Sequence, residues 1–187
     1  PGRALSECVL GVIGVGFIGK EVLRKAHAFG MTLLANDIIP IPEEFTRTND
    51  MRMVPLDELM READFISVNC DLNPTSFHII NHDSLALVKP GAVLINTARG
   101  PLADEKALVQ ALQQGRLGGA ALDVFEQEPL PADSPLLKME NVMLAPHNSN
   151  SSPTAWEKVH WNTILNLLDG LEIPHPDFEE IRQKNSR

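Results

Sequence analysis

The stretch Val9–Met31, VLGVIGVGFIGKEVLRKAHAFGM, constrains this 187-residue chain more than any other. Val9, Leu10, Val12 and Ile13 make a short apolar run interrupted by Gly11, the pattern of a strand buried on both faces of a parallel sheet. Gly14, Gly16 and Gly19 follow as G-x-G-x-x-G, and an amphipathic helix runs from Lys20 to Phe29 with Gly30 as its stop. Each glycine has a task in a strand–turn–helix that binds a dinucleotide. Gly14 makes the tight turn, Gly16 leaves no side chain between a pyrophosphate and the backbone, and Gly19 lets the helix pack closely on the strand. The helix N-terminus then offers N–H groups to the phosphates. The next apolar run, Met31 to Ala35, ends at Asn36-Asp37. Asp37 follows Gly19 at close to the ~20-residue spacing of an acid that binds the adenosine ribose hydroxyls. A carboxylate there repels a 2′-phosphate, so Asp37 favours NAD over NADP. The alternatives are a structural glycine turn and a solvated loop acid, and the order strand, glycines, helix, acid weighs against both.

The remainder alternates short apolar runs with helical patterns. The segment from Ile38 to Val54 contains prolines and charges and reads as a loop. Leu56 to Glu62 reads as a short helix, Phe65 to Val68 as a strand and Asn81 to Val88 as a helix. A turn at Lys89-Pro90-Gly91 leads into a strand from Ala92 to Ile95. Asp104 is a good N-cap for a helix through Gln114, with Ala107, Leu108, Ala111 and Leu112 on one face and Gly115 as its end. Strands at Ala120 to Val124 and Val142 to Ala145 complete the series. Such alternation predicts an α/β fold, a doubly wound parallel sheet with helices on both faces.

The last helix opens on Ser152 as N-cap with Pro153 in the first position. Trp156, Val159, Thr163, Leu167 and Leu168 form one stripe, and Trp161, Ile164, Leu165 and Leu168 a second that overlaps it. An apolar band that wide calls for cover on more than one side, by another lobe or another subunit. Beyond Gly170, Ile173-Pro174-His175-Pro176 and the charged run Asp177 to Arg187 read as an extended, poorly ordered tail.

Several classes are excluded by composition. The formal net charge is −9, which argues against a nucleic-acid or anionic-membrane surface. It does not argue against NAD, whose phosphates meet local backbone dipoles. No apolar run is long enough to span a bilayer and no signal segment is evident. Cys8 and Cys70 are too few and too far apart for a disulfide framework or a Cys-rich metal site, so no metal is expected and a reducing, cytoplasmic compartment is. The chain opens on Pro1 rather than methionine, as a processed product or an excised piece of a longer protein would.

In open α/β sheets ligands sit outside the carboxyl ends of the strands, and three candidate groups fall just there. Arg99 follows one strand in INTARG, Glu128 another in LDVFEQEP, and His147 the last in LAPH. A cation, a carboxylate and an imidazole on one edge make an acid–base site with an anion clamp. Taken singly, Arg99 reads as a surface ion-pair partner and Glu128 as a solvated loop acid. His27, His78, His82, His160 and His175 have no comparable placement and read as structural or solvated. Cys70 reads as a small buried residue beside the cofactor, not a nucleophile.

IGVGFIG, INTARGPLADEKAL, GAALDVFEQEPL and APH, in this order, resemble the signatures of the D-isomer-specific 2-hydroxyacid dehydrogenases over about Cys8 to Leu171. The resemblance implies a Rossmann NAD-binding fold and hydride transfer between NAD(H) and a small D-2-hydroxy or 2-keto acid. It implies Arg99 as the substrate-carboxylate clamp, His147 as acid/base and Glu128 as the residue that orients it. It places Phe17 and Ile18 at the pyrophosphate, Cys70, Asp71 and Asn73 at the adenine-ribose end, Thr97, Ala98 and Arg99 behind the nicotinamide ring, Asp123 on the nicotinamide side, and His147 among the cofactor contacts as well. A homodimer through the cofactor domain is also implied, with the Trp161 and Leu165 face at that interface or under another lobe.

Departures exist. Asn69 and Asp71 stand where many relatives have histidine and proline, and Asn148-Ser149-Asn150 where the family turns through glycine. Only Pro1 to Glu7 precede the glycine-rich unit, so the substrate lobe is expected to be largely missing and the chain to be the coenzyme-binding domain, 1–171 with the return helix 153–170, and 172–187 a remnant of the second lobe or disordered. Two function classes follow: the cofactor domain of a dehydrogenase, and a non-catalytic NAD(H)-binding sensor or partner module. The intact Arg99, Glu128 and His147 favour the first.

Overall fold

Val9–Ile13 becomes β1, near the middle of a seven-stranded sheet in which every pairing is parallel. The computed structural model describes residues 2–149, 152–176 and 180. After β1 come α1 (Phe17–Ala28), β2 (Thr32–Asn36), α2 (Glu43–Thr48), β3 (Met51–Met53), α3 (Leu56–Glu62) and β4 (Phe65–Val68). The second half continues with α4 (His82–Leu87), β5 (Val93–Asn96), α5 (Glu105–Gln113), β6 (Gly119–Leu122), β7 (Val142–Leu144) and α6 (Pro153–Gly170). The strand order is β3-β2-β1-β4-β5-β6-β7. The direction of winding reverses at β1, which pairs with β2 on one side and β4 on the other. That reversal opens a crevice at the carboxyl ends of β1 and β4.

Side-chain alternation along the strands separates two cores. Leu10 and Val12 of β1 join Leu23 and Ala26 of α1 in one cluster. Ile13 joins Leu59, Met60 and Ala63, from α3 and just beyond it, in the other. The sheet is therefore covered on both faces, as the alternation of runs predicts. Two helix starts are fixed by capping side chains. Asp104 accepts the Ala107 N–H at 3.1 Å at the head of α5, and Asn81 accepts from Asp83 and Ser84 at 2.9 and 3.1 Å at the head of α4.

Two expectations are corrected. The segment read as a loop from Ile38 to Val54 contains α2 and β3. Three residues are too few for alternation to register, and β3 is an edge strand defined by its pairing with β2. Helix α1 begins at Phe17, not Lys20, because the last residues of the glycine motif already form its first turn.

At the opposite, amino end of the strands, Asp64 ties the sheet together. It accepts the Val9 N–H at 2.7 Å and pairs with Arg3 at 2.7 Å and Lys89 at 2.9 Å. Burial pushes its carboxyl up, but Lys89, the Val9 N–H and Arg3 outweigh this and bring it down to about 2.

Contacts divide the chain into Pro1–His147, which holds the sheet and both cores, and Asn148–Arg187. In the second unit, Ser152 accepts the Ala155 N–H at 3.4 Å to cap α6. No residue of α6 is buried: Trp156, Val159, Ile164 and Leu167 are exposed, and Trp161 and Leu165 half-exposed. Of the tail read as extended, 177–179 and 181–187 lie outside the described residues. Among the described residues no helix is long and apolar enough to cross a membrane.

Candidate cofactor cleft and acid–base pair

The turn between β1 and α1 is built around Gly14, whose φ is +90°. A β-carbon there would overlap the backbone of Cys70, so the glycine serves both the turn and the close approach of the loop after β4. Gly19 abuts the Gly14 carbonyl in the same way. Gly16 differs, because nothing lies within 4 Å of where its β-carbon would stand. It is also the N-cap of α1 and supplies no side-chain cap; α2 and α3, which start after prolines, lack one too, whereas α4, α5 and α6 are capped. The first turn of α1 carries no acid. An uncapped helix N-terminus facing open space suits a pyrophosphate. Phe17 and Ile18 project from that turn, both exposed.

Asp37 follows β2 directly. Its Oδ2 accepts the Val15 N–H at 2.6 Å and its Oδ1 the Ile39 N–H at 2.8 Å. The carboxylate thus braces the glycine-rich loop, and each oxygen keeps a further acceptor site for a hydroxyl. A small crevice beside it is lined by Gly14, Asp37, Ile38, Cys70 and Asn73. Cys70 also lines an adjoining cleft of about 510 Å³, with Ile18, Asp71, Thr97, Ala98 and Arg99. Predicted residues from both ends of a dinucleotide therefore share two hollows that meet at Cys70. Burial pushes the Cys70 thiol up, and the charges of Asp37 and Asp71 add to this, so it is a poor nucleophile at neutral pH. Asn73 Oδ1 accepts from the N–H and hydroxyl of Thr75, which shapes this loop. Asp123 is buried just after β6, its N–H donating to the Asn96 carbonyl at 3.0 Å.

Glu128 and His147 meet. Glu128 Oε2 lies 2.8 Å from His147 Nδ1, and Glu128 Oε1 accepts the Phe125 N–H at 3.0 Å. The hydrogen bond to His147 is the chief cause holding the Glu128 carboxyl below its usual range. The Phe125 N–H and the charges of His147 and Arg99 act in the same direction. His147 has φ +53°, a left-handed conformation uncommon outside glycine. The pair lines an apolar cavity of about 380 Å³ with Phe125, Pro129, Leu137 and Leu144. Arg99 lies in the other hollow and donates from Nη1 to the Ala98 carbonyl at 2.6 Å.

Two contributors escaped sequence reasoning. Asn96, at the end of β5, accepts the Ala98 N–H at 3.1 Å and donates to the Arg99 carbonyl at 2.9 Å. It closes an Asx turn that holds Thr97 to Arg99 in place. An asparagine ending a strand is a visible turn signal. The second is His78, read as structural or solvated, which pairs with Glu126 at 2.6 Å. No spacing in the sequence foretells that contact.

The family described as D-isomer specific 2-hydroxyacid dehydrogenase, NAD binding domain, matches residues 1–149. The chain belongs to this family. A glyoxylate reductase from Korarchaeum cryptofilum is 47% identical over 159 residues, covering 85% of this chain and 48% of the relative. Among solved structures, a glyoxylate reductase from Paecilomyes thermophila superimposes with a TM-score of 0.84 at 37% identity, covering 91% of this chain and 51% of that one. A D-lactate dehydrogenase from Aquifex aeolicus, complexed with NAD and lactic acid, gives a TM-score of 0.83 at 33% identity over 92% of this chain and 56% of that one. The chain spans about half the length of these relatives. As a member of this family of NAD-binding domains, it has the expected parallel sheet and an uncapped helix behind its glycine-rich turn.

Proposed function

We propose that this domain serves an oxidoreductase that transfers a hydride between NAD(H) and a small D-2-hydroxy acid or its 2-keto acid. The Glu128–His147 hydrogen bond of 2.8 Å, at the strand edge that also presents Arg99, carries this reading. When bound, NAD(H) supplies or accepts the hydride. Arg99 holds the substrate carboxylate in a two-pronged contact and polarises the neighbouring carbonyl, a geometry a guanidinium provides and an ammonium does not. Glu128 occupies Nδ1 of His147 and fixes its tautomer, which leaves Nε2 for the substrate. In reduction Nε2 donates a proton to the carbonyl oxygen, and in oxidation it takes the hydroxyl proton. Glu128 then faces the imidazolium so formed.

Asp37 selects NAD over NADP, and Thr97, Ala98 and Asp123 line the nicotinamide end. The exposed apolar side chains of α6 support a homodimer, and the free cysteines Cys8 and Cys70 suit a cytoplasmic enzyme. A test is NADH oxidation driven by glyoxylate, pyruvate and hydroxypyruvate, measured on the full-length gene product. The D enantiomer of the hydroxy acid from pyruvate or hydroxypyruvate supports the assignment, as does turnover of glyoxylate to the achiral glycolate. NADH binding without turnover of any of the three replaces it with the non-catalytic NAD(H)-binding module.

A further inference from the structure

His78 stands where three loops meet. It belongs to the loop between β4 and α4, and its N–H donates at 2.9 Å to the carbonyl of Pro101, in the loop that carries Arg99. The same two loops are zipped further along, Ile80 donating to the Leu102 carbonyl at 3.0 Å and Asp104 to the Ile80 carbonyl at 2.8 Å. The ring of His78 stacks on Phe77 with centroids 3.9 Å apart. Its Nε2 lies 2.6 Å from Glu126 Oε1, in the loop that carries Glu128.

Glu126 is fastened on its other side as well. Its Oε2 accepts the Glu105 N–H at 3.1 Å, and its own N–H donates to Glu105 Oε2 at 3.3 Å. Burial pushes the Glu105 carboxyl up, and the charge of Glu126 adds to this. A β-carbon on Gly100 would overlap the Phe125 carbonyl, so the Arg99 loop and the Glu128 loop also touch through backbone. The turn Phe125–Glu128 is thus gripped at Glu126 by His78 and Glu105, and at Glu128 by the Phe125 N–H and His147. His78 adopts φ +51°, an uphill conformation for a residue with a β-carbon. A surface ion pair formed by chance needs neither that backbone nor contacts to two other loops.

We propose that His78 is a positioning residue: by holding Glu126 it sets the Phe125–Glu128 turn and keeps Glu128 within hydrogen-bond reach of His147. This rests on the assignment of Glu128 and His147 as the working pair. The test is the titration of the Glu128 carboxyl in the 187-residue chain, followed by carbon NMR. In the wild type it titrates below the ordinary glutamate value, because His147, the Phe125 N–H and Arg99 face it. His78→Asn tolerates the left-handed backbone but is too short to reach Glu126. In that variant the Glu128 titration rises toward the ordinary value, while circular dichroism and NADH affinity stay at wild-type levels. His78→Gln, whose amide can donate to Glu126, restores the low value. Glu126→Ala reproduces the rise, and the double variant His78→Asn/Glu126→Ala adds nothing to it. A Glu128 titration unchanged in both His78→Asn and Glu126→Ala overturns the proposal. An ordinary value already in the wild type overturns instead the Glu128–His147 pairing on which it rests.

Discussion

With His147 replaced by glutamine in the full-length gene product, reduction of a 2-keto acid by NADH is expected to slow by about 10²–10⁴-fold, the usual worth of a positioned general acid. Affinity for NADH should stay at the wild-type level. Glutamine matches the reach of the imidazole and can still donate to Glu128, but it neither releases nor takes a proton near neutral pH. The loss should therefore fall on kcat rather than on the cofactor dissociation constant. Stopped-flow absorbance for the chemical step and fluorescence titration for NADH separate the two quantities. An unchanged turnover would remove His147 from the chemistry, and an equal loss in both would give it a structural role.

The second large effect concerns the glycine-rich turn, where two neighbouring glycines are expected to behave differently. Gly14→Ala places a side chain at φ +90° and against the Cys70 backbone. The conformation alone costs about 1–2 kcal/mol, before the loop after β4 moves to relieve the overlap. Each kcal/mol lowers Tm by roughly 2–4 °C in a domain of this size, so Gly14→Ala should melt several degrees early and also lose NADH binding. Gly16→Ala has nothing within 4 Å of its new methyl group and should melt close to the wild type. The methyl would nonetheless stand at the uncapped head of α1, where the pyrophosphate is proposed to lie, and binding should weaken. Thermal denaturation with and without NADH distinguishes a loss of fold from a loss of ligand. Normal NADH binding by Gly16→Ala would contradict the placement of the pyrophosphate.

Much of the fold is legible because local chemistry and tertiary role coincide. The run Val9–Ile13, the turn at Gly14 and the acid at Asp37 are read from spacing alone, and Asp104 and Ser152 cap the helices they were assigned. Arg99, Glu128 and His147 are legible as strand-end residues, since a parallel sheet brings successive carboxyl ends to one edge. The pairing of Glu128 with His147 is expected from the family resemblance and not from spacing, and the placing of Arg99 in a separate hollow is legible from neither, because it depends on how the loops turn after their strands. The same holds for His78 and Glu126, which are 48 positions apart and meet through packing of loops. Helix α2 and strand β3 escaped for a different reason. Between prolines and charges, a six-residue helix and a three-residue edge strand carry too little periodicity to stand out. Asp64 appears in the sequence as one more acid before a strand, and only the convergence of Arg3, Lys89 and the Val9 N–H shows its part in tying the strand starts.

The measurement that tests the central claim most directly is calorimetric titration of the chain with NADH and with NADPH, beside an Asp37→Ala variant. NADH should bind, and NADPH should bind much more weakly, because its 2′-phosphate meets the Asp37 carboxylate. Asp37→Ala loses a charged hydrogen bond to the ribose and the brace on the Val15 N–H, so NADH affinity should fall by about 10–100-fold and the gap between the two cofactors should narrow. A folded sample that binds neither cofactor, or one in which NADPH equals NADH and Asp37→Ala changes nothing, would contradict the account.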